Sequence, residues 1–461
     1  MNAKVTPARR AAFDALRRVE TQTAYASHLL ASEAKPALGR PDRALLQELT
    51  LGVLRWQGLL DFLIERYARR PVSGLDPDVT IVLRLGLYQL RFLDRIPAHA
   101  AINESVNLTR ERKLASAAPF VNAVLRAAQR EAETGIHDLI LSINDPLLRL
   151  SVETSHPPWL IERWLMRYGE GEARALALAG NSTPPVAFRF NRGRSPIDQT
   201  RAWFADNGIS IRDSTLAPQA AVIASGHLTA DSEPVREGWI YVQDEASQLV
   251  AHVAAANAVS SGHTLRVLDV CAAPGGKTSL VAALAGIDAQ IVAADLHHHR
   301  LLTMKALAAR LGVPPFELIQ LDAAQQLPFS EPGRFDIVLL DAPCSGLGSL
   351  QRHPEIKWRA KKEKIGELAA LQKQLISQAV RQLRPGGLLT YSVCSTEPEE
   401  GEEVVASLRL EHPELRDVTR ERLLELGLGT TDLLTSNHGA RTFTHRHGSE
   451  SFFLCVFWKR R

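Results

Sequence analysis

The chain has 461 residues, 45% of them hydrophobic and 23% charged; at roughly 100–200 residues per domain this suits two to four domains, and it excludes a disordered chain, a collagen-like chain and a small disulfide scaffold. Lys and Arg number 54 against 51 Asp and Glu, but residues 1–150 hold 21 against 16, so the first third is the basic part. Arg outnumbers Lys 43 to 11, and a planar guanidinium suits bidentate phosphate contact, so that third reads either as a nucleic-acid surface or as an ordinary solvated helix face.

The N-terminal stretch MNAKVTPARRAAFDALRR has no continuous apolar run, so no secretory signal is expected. No apolar run of membrane-spanning length follows it, so no membrane span is expected either. Thr6-Pro7 resembles a helix cap with proline at the first helical position, opening a helix to about Thr21. From Arg43, the positions Leu45, Leu49, Val53, Trp56, Leu60 and Leu63 recur every three to four residues, one face of a long amphipathic helix. Asp78–Phe92 is apolar on most sides and is expected to be buried. Ala98–Arg112 and Ala117–Arg130 complete about five helices. No group for catalysis stands out here, so binding is the expected role. RALLQELTLGVLRWQGLLDFLI (43–64), LRLGLYQLRFL (83–93), IPAHAAINESVNLTR (96–110) and FVNAVLR (120–126) resemble the NusB-like RNA-binding domain. That resemblance implies a helical domain that touches RNA.

Ser155-His156-Pro157-Pro158 reads as linker punctuation. Trp159–Ala179 reads as one helix. A strand VAFRFN (186–191), a short helix near Thr200–Asn207 and strands near Ala221–Ser225 and Trp239–Val242 suggest a small α+β module. Phe188, Arg189, Phe190, Asn191 and Arg192 interleave aromatic and cationic groups, which suits base stacking. Alternate phenylalanines facing a core explain the same pattern equally well.

The last 220 or so residues carry the chemistry. LRVLDV (265–270) is followed by CAAPGGKT (271–278) and a helix. A strand, a glycine-rich turn and a helix N-terminus form a cradle for a polar ligand. A phosphate-binding P-loop needs a glycine five residues before its Gly-Lys pair; Cys271 stands there, which disfavours a nucleotide triphosphatase. Further strands end in acids: QIVAADL (290–296) at Asp295, FELIQLD (316–322) at Asp322 and FDIVLLDAP (335–343) at Asp341. GGLLTYSVCS (386–395) ends in Cys394. In open α/β sheets the carboxyl edge binds ligands. An acid after the second strand suits a ribose diol, and one after the third suits an adenine amine. Together they fit a nucleoside cofactor without phosphates, such as S-adenosylmethionine.

Of the four cysteines, Cys271, Cys344, Cys394 and Cys455, no two form a CxxC pair, so free thiols in a reducing cytoplasm are expected. Cys344 and Cys394 both follow strands on the ligand edge. A thiolate adding to carbon 6 of cytosine makes carbon 5 able to accept a methyl group, which is covalent catalysis. Lys277 would favour that thiolate. Spacing alone does not decide which cysteine attacks.

DVCAAPGGKT (269–278), DAPCSG (341–346) and YSVCST (391–396) resemble the RNA 5-methylcytosine methyltransferases. With YVQDEASQLV (241–250), RHPEIKW (352–358) and the NusB-like start, the resemblance spans nearly the whole chain and points to members acting on small-subunit (16S) ribosomal RNA. It implies Cys394 as nucleophile and Cys344 as the group assisting adduct release. Asp341 would lie near the methionine moiety and the target base, and Lys277 near the target nucleotide. Cys271, Ala272, Ala273, Pro274, Gly275, Gly276 and Lys277 would form the cofactor loop, with Asp295 on the ribose and Asp322 at the adenine end. The chain departs from a DGFF-like C-terminal motif with Glu450-Ser451-Phe452-Phe453, which leaves that loop's shape open.

The expected architecture is multidomain: an all-α NusB-like bundle (1–140), a linker and small α+β RNA-binding module (141–240), and an α/β Rossmann-like S-adenosylmethionine-dependent methyltransferase domain (241–461). A cytoplasmic monomer acting on ribosomal RNA, without metal or membrane, is the expectation. A transfer-RNA cytosine-5 methyltransferase and a non-catalytic RNA-binding assembly factor are the alternatives. His297-His298-His299 reads as exposed surface. His438, His445 and His447 match no zinc spacing. Lys361-Lys362-Glu363-Lys364 reads as RNA-facing or solvated. Cys455, in FFLCVFW, reads as inert core.

Overall fold

The computed structural model describes residues 5–22, 24–33, 38–131, 134–256, 264–329, 333–426, 431–433 and 439–460. Two units form, Met1–Thr183 with Leu350–Arg359, and Pro184–Ser349 with Ala360–Arg461.

The first unit is helical throughout its described residues. Its core gathers Phe13, Leu16, Leu49, Leu60, Leu63, Leu83 and Leu125. The helix Pro77–Phe92 is buried along Val79–Gln89, as its all-round apolar sequence requires, and Asp76 caps it by accepting from the N–H groups of Asp78 and Val79. Among the described residues, eight α-helices lie between Pro7 and Leu141 where about five were expected, because short pieces such as Ala26–Glu33 and Ile136–Leu141 carry too little periodicity to read. The face from Leu45 to Leu63 belongs to two helices, Arg40–Arg55 and Gln57–Ala68. Trp56 leaves helical dihedrals (φ −105°, ψ 17°), and the Ser155 hydroxyl accepts from the freed Gly58 N–H at 2.8 Å. Trp159–Ala179 likewise divides into Pro158–Tyr168 and Glu170–Gly180, at Gly169 with φ 78°.

Ser155-His156-Pro157-Pro158 is not a linker. It is a buried turn between two helices, with Ser155 left-handed (φ 53°) and the His156 ring packed on Trp164. Leu350–Arg359 is built into this unit. Lys357 Nζ donates to Arg55 O and Asn181 Oδ1, both at 2.7 Å, and Trp358 Nε1 donates to Leu54 O at 3.2 Å.

The second unit holds two sheets. The smaller is antiparallel: β1 (Ala187–Phe190), β2 (Ser210–Asp213), β3 (Ala220–Ser225) and β4 (Ile240–Val242), in the order β2-β3-β1-β4. β2, mostly exposed, was not legible beforehand. Of the two readings open for Phe188 and Phe190, core packing holds and the stacking platform does not. Both are buried, and Phe188 stacks on Phe204 of the helix Ile197–Asp206 at 5.1 Å. Arg189 between them is buried too, donating to Gly276 O at 2.8 Å and Ser279 Oγ at 2.7 Å.

The larger sheet comprises β5 (Arg266–Asp269), β6 (Gln290–Asp295), β7 (Glu317–Gln320), β8 (Phe335–Asp341), β9 (Leu383–Val393), β10 (Leu415–Asp417), β11 (Gly439–Arg441) and β12 (Phe453–Lys459). Its order is β10-β12-β9-β8-β5-β6-β7, with β11 also on β12. β7, β6, β5, β8 and β9 run parallel, and β12 is antiparallel to its neighbours. Successive residues feed two cores: Val267, Ile337 and Leu339 on one face, Leu268, Val338 and Leu340 on the other. Burial of both faces explains the continuous apolar runs. The strand order reverses between β5 and β8, which opens a crevice at their carboxyl ends. This is the doubly wound, Rossmann-like architecture expected of the chain's last part.

Candidate functional site

The crevice is lined by strand-end acids. β5 ends at Asp269, whose carboxylate is buried and accepts from Thr278 Oγ1 at 2.6 Å. Burial pushes its carboxyl up to about 7. Sequence reading passed over Asp269, although it holds the same strand-end position as Asp295 and Asp341. The loop after it runs through Cys271, Ala272, Ala273 and Pro274 to Gly275, which caps the helix Gly276–Ala285 with φ 97°. Burial, then nearby carboxylates, push the Cys271 thiol far up, so this cysteine stays protonated and lends the loop its backbone.

Asp295, at the end of β6, closes the loop. Its Oδ2 accepts from Ala273 N at 3.2 Å and its Oδ1 from His297 N at 2.9 Å, while Arg300 Nη1 lies 3.4 Å from Oδ2. Asp322 lies just beyond β7, next to Leu321, whose N–H donates to Asp295 O at 3.2 Å. β7 ends at Gln320, two residues earlier than the strand read from sequence, and Asp322 is exposed in a turn where Oδ1 accepts from Ala324 N at 3.0 Å.

Four of the expected residues meet at the ends of β8 and β9. Lys277 Nζ lies 2.6 Å from Asp341 Oδ2, and Asp341 Oδ1 accepts from Ser392 Oγ at 2.7 Å. Burial works against the Lys277 charge, but Asp341, with a smaller contribution from Cys394, holds its pKa above the usual lysine value. The Phe452 ring lies 5.0 Å from Lys277 Nζ. Cys344 and Cys394 bring their sulfurs to 3.2 Å. Their hydrogen bond, burial, and the negative charge at Cys394 and Glu400 hold the Cys344 thiol well above its ordinary range.

Backbone bonds clamp the two cysteine loops. Ala342 N donates to Ser392 O at 2.9 Å and Gly348 N to Cys394 O at 3.0 Å. A Cβ on Gly348 would lie 1.8 Å from Ser451 O, so only glycine lets these loops approach so closely. The Glu450-Ser451 departure leaves the loop intact: Ser451 N donates to Gly348 O at 2.8 Å, and Ser451 is absent from the left-handed region that would call for glycine. Glu400, Ser345, Ser395 and Ser392 were not singled out by sequence. The serines flank the cysteines, which was the available signal; Glu400 was hidden in an acid-rich run.

Other tempting features lie outside this cluster. His297, His298 and His299 are exposed, and so are Lys361, Lys362, Glu363 and Lys364 at a helix start. His447 Nδ1 accepts from Phe443 N at 2.8 Å. His438 lies outside the described residues. Cys455 is buried on β12, where burial pushes its thiol up to about 12. Among the described residues, no helix is long and apolar enough to cross a membrane.

Comparison with known proteins gives concordant matches. Residues 258–458 match the family described as 16S rRNA methyltransferase RsmB/F, residues 6–130 the NusB family, and residues 156–228 the ferredoxin-like domain of RsmF/B-like methyltransferases. Ribosomal RNA small subunit methyltransferase B of Pseudomonas putida is 37% identical, over 91% of both chains. The protein of the same name from Erwinia tasmaniensis is 34% identical over 99% of this chain and 100% of its own. The crystal structure of PH0851 has the same fold over 100% of both chains, with a TM-score of 0.81 at 24% identity.

Proposed function

The chain belongs to the 16S rRNA methyltransferase RsmB/F family, and on that premise we propose that it methylates carbon 5 of a cytosine in small-subunit ribosomal RNA through a covalent Cys394 adduct. The observation that carries this reading is the pair of sulfurs 3.2 Å apart, next to the Lys277–Asp341 ion pair. S-adenosylmethionine, when bound, supplies an electrophilic methyl group. The donor set fits it: carboxylates, rather than phosphate-binding cations, stand at successive strand ends. Cys271, Ala272, Ala273, Pro274, Gly275, Gly276 and Lys277 would cradle it, with Asp295 toward the ribose, Asp322 toward the adenine and Asp341 between the methionine moiety and the base.

Cys394 adds as thiolate to carbon 6, and the displaced ring electrons go to carbon 5. Carbon 5, made nucleophilic by that addition, would then accept the methyl group that the bound cofactor supplies. The carbon-5 proton then passes to water. The Cys394–carbon 6 bond breaks with its electrons returning to sulfur, to which the Cys344 S–H would donate a hydrogen bond. Lys277 favours the thiolate, and Asp341 holds Lys277 in place. Residues 1–140 and 141–240 would present the RNA in the cytoplasm to the catalytic part, 241–461, with one chain sufficing. Taking the base out of its stack costs a few kcal/mol, least in a single-stranded loop.

Methyl transfer from labelled S-adenosylmethionine to unmethylated small-subunit ribosomal RNA and to transfer RNA tests the reading. Label in ribosomal cytosine that vanishes in Cys394→Ala, with a denaturant-resistant protein–RNA adduct in Cys344→Ala, is the expected result. Label only in transfer RNA replaces the substrate, and activity surviving Cys394→Ala overturns the nucleophile. No transfer to either RNA favours an RNA-binding assembly factor.

A further inference from the structure

Glu400 is fully buried, and its carboxylate grips both cysteine loops. Oε1 accepts from Ser345 N at 2.7 Å and Gln372 Nε2 at 3.2 Å. Oε2 accepts from the hydroxyls of Ser345 and Ser395. Those serines immediately follow Cys344 and Cys394. Gln372 also donates to Pro343 O at 2.9 Å, so the residues on both sides of Cys344 are tied into one network. The Glu400 carbonyl accepts from the Tyr391 hydroxyl, which fixes the carboxylate's own backbone to β9.

A buried carboxylate carries a desolvation cost that a neutral group would avoid while still joining two loops. A charge kept at such a place points to use of the charge. We infer that Glu400 is a positioning residue that sets the two sulfurs in contact and divides their roles, reserving Cys344 as the hydrogen-bond donor and leaving Cys394 as the nucleophile. Its catalytic consequence rests on the methyl-transfer reading above. The thiol chemistry agrees: the Glu400 charge is among the causes that keep Cys344 protonated, whereas Lys277 interacts favourably with Cys394.

The first test needs neither RNA nor activity. Alkylation of Cys344 by iodoacetamide is followed against pH by mass spectrometry in the full-length Cys394→Ala background. Adding Glu400→Gln keeps the size and removes the charge. It should move the profile down by about one pH unit, or about tenfold in rate below the midpoint. Glu400→Asp and Ser345→Ala keep the charge and loosen the grip; they should leave the midpoint in place. Coincident profiles for Glu400→Gln and its parent, or equal shifts in all three variants, overturn the inference.

The second test uses both cysteines. Glu400→Gln should lower kcat for methyl transfer at least tenfold, accumulate protein–RNA adduct, and leave KM for RNA within twofold. A wild type that transfers no methyl group overturns the functional reading and leaves the alkylation result standing. A wild type that transfers, with Glu400→Gln equal to it in kcat and adduct, overturns the positioning role alone. If Glu400→Gln does not fold, Ser395→Ala decides: it removes one grip, and kcat equal to wild type overturns the inference.

Discussion

Two lysines of this chain sit in opposite surroundings. Lys277, in the second unit, has a side chain 12% exposed and a carboxylate, Asp341, at 2.6 Å. Lys357, in the first unit, is 0% exposed and donates only to neutral oxygens, those of Arg55 and Asn181, at 2.7 Å. Burial opposes both charges. Asp341 outweighs it for Lys277, whose pKa is raised, whereas burial and the nearby Arg55 push Lys357 well below the ordinary lysine value. The sheet edge therefore favours the ammonium form of its lysine, whereas the helical unit disfavours it and uses Lys357 as a buried hydrogen-bonding strut. The partner, rather than the residue type or its burial, decides which chemistry a lysine offers.

Substituting each lysine by methionine should separate the two roles most sharply. Lys277→Met should lower kcat for methyl transfer about 100-fold, the usual scale for one lost electrostatic contact to a reacting centre. Lys357→Met leaves two buried acceptors without a donor, which should cost about 1–3 kcal/mol of stability. Transfer by its folded fraction should stay within twofold of wild type. Single-turnover transfer and urea unfolding, run on both variants, check this. A transfer loss of equal size in Lys357→Met would erase the distinction.

The comparison also predicts pH slopes of opposite sign. Asp269 titrates near 7 when folded against 3.8 for the free side chain, so the folded chain binds the extra proton between those values. Its contribution to stability is complete at low pH and is lost as pH rises through that window. Lys357 is depressed from 10.5, so below that value the unfolded chain binds the extra proton. Its contribution rises as pH climbs toward 10.5. Asp269→Asn should flatten the acid-side slope and Lys357→Met the alkaline-side slope, each by up to one proton in unfolding midpoints measured across pH. A slope that survives its own substitution would sink the assignment for that residue.

The catalytic half was legible because its signals are local. A parallel strand buried on both faces reads as an apolar run, and an acid or thiol at its end marks the carboxyl edge, so Asp295, Asp341, Cys344 and Cys394 can be assigned to that edge from sequence alone. What failed to read depends on distant partners. The break at Trp56 is invisible in a face that stays periodic, because the Ser155 hydroxyl that caps the second helix comes from 97 residues away. Glu400 is one of several acids in TEPEEGEE, and only the fold shows which one meets Ser345 and Ser395. Phe188 and Phe190 read equally as a stacking platform or a core face from sequence, because alternation cannot say whether a second layer covers the strand.

The smallest effect is expected at Ser451, where the related motif carries glycine. Its hydroxyl accepts from Thr444 N at 3.1 Å and pairs with Thr444 Oγ1 at 3.1 Å. Like Lys357, it holds structure through hydrogen bonds to neutral groups. Ser451→Gly would keep the backbone bond to Gly348 and lose the hydroxyl contacts, with added freedom in the unfolded chain. Together these should cost about 1 kcal/mol in urea unfolding, with methyl transfer within twofold of wild type. A larger loss of transfer than of stability would mean that the hydroxyl steers the cysteine loops through Gly348, and that the division between charged chemistry and neutral support does not hold at the edge of the site.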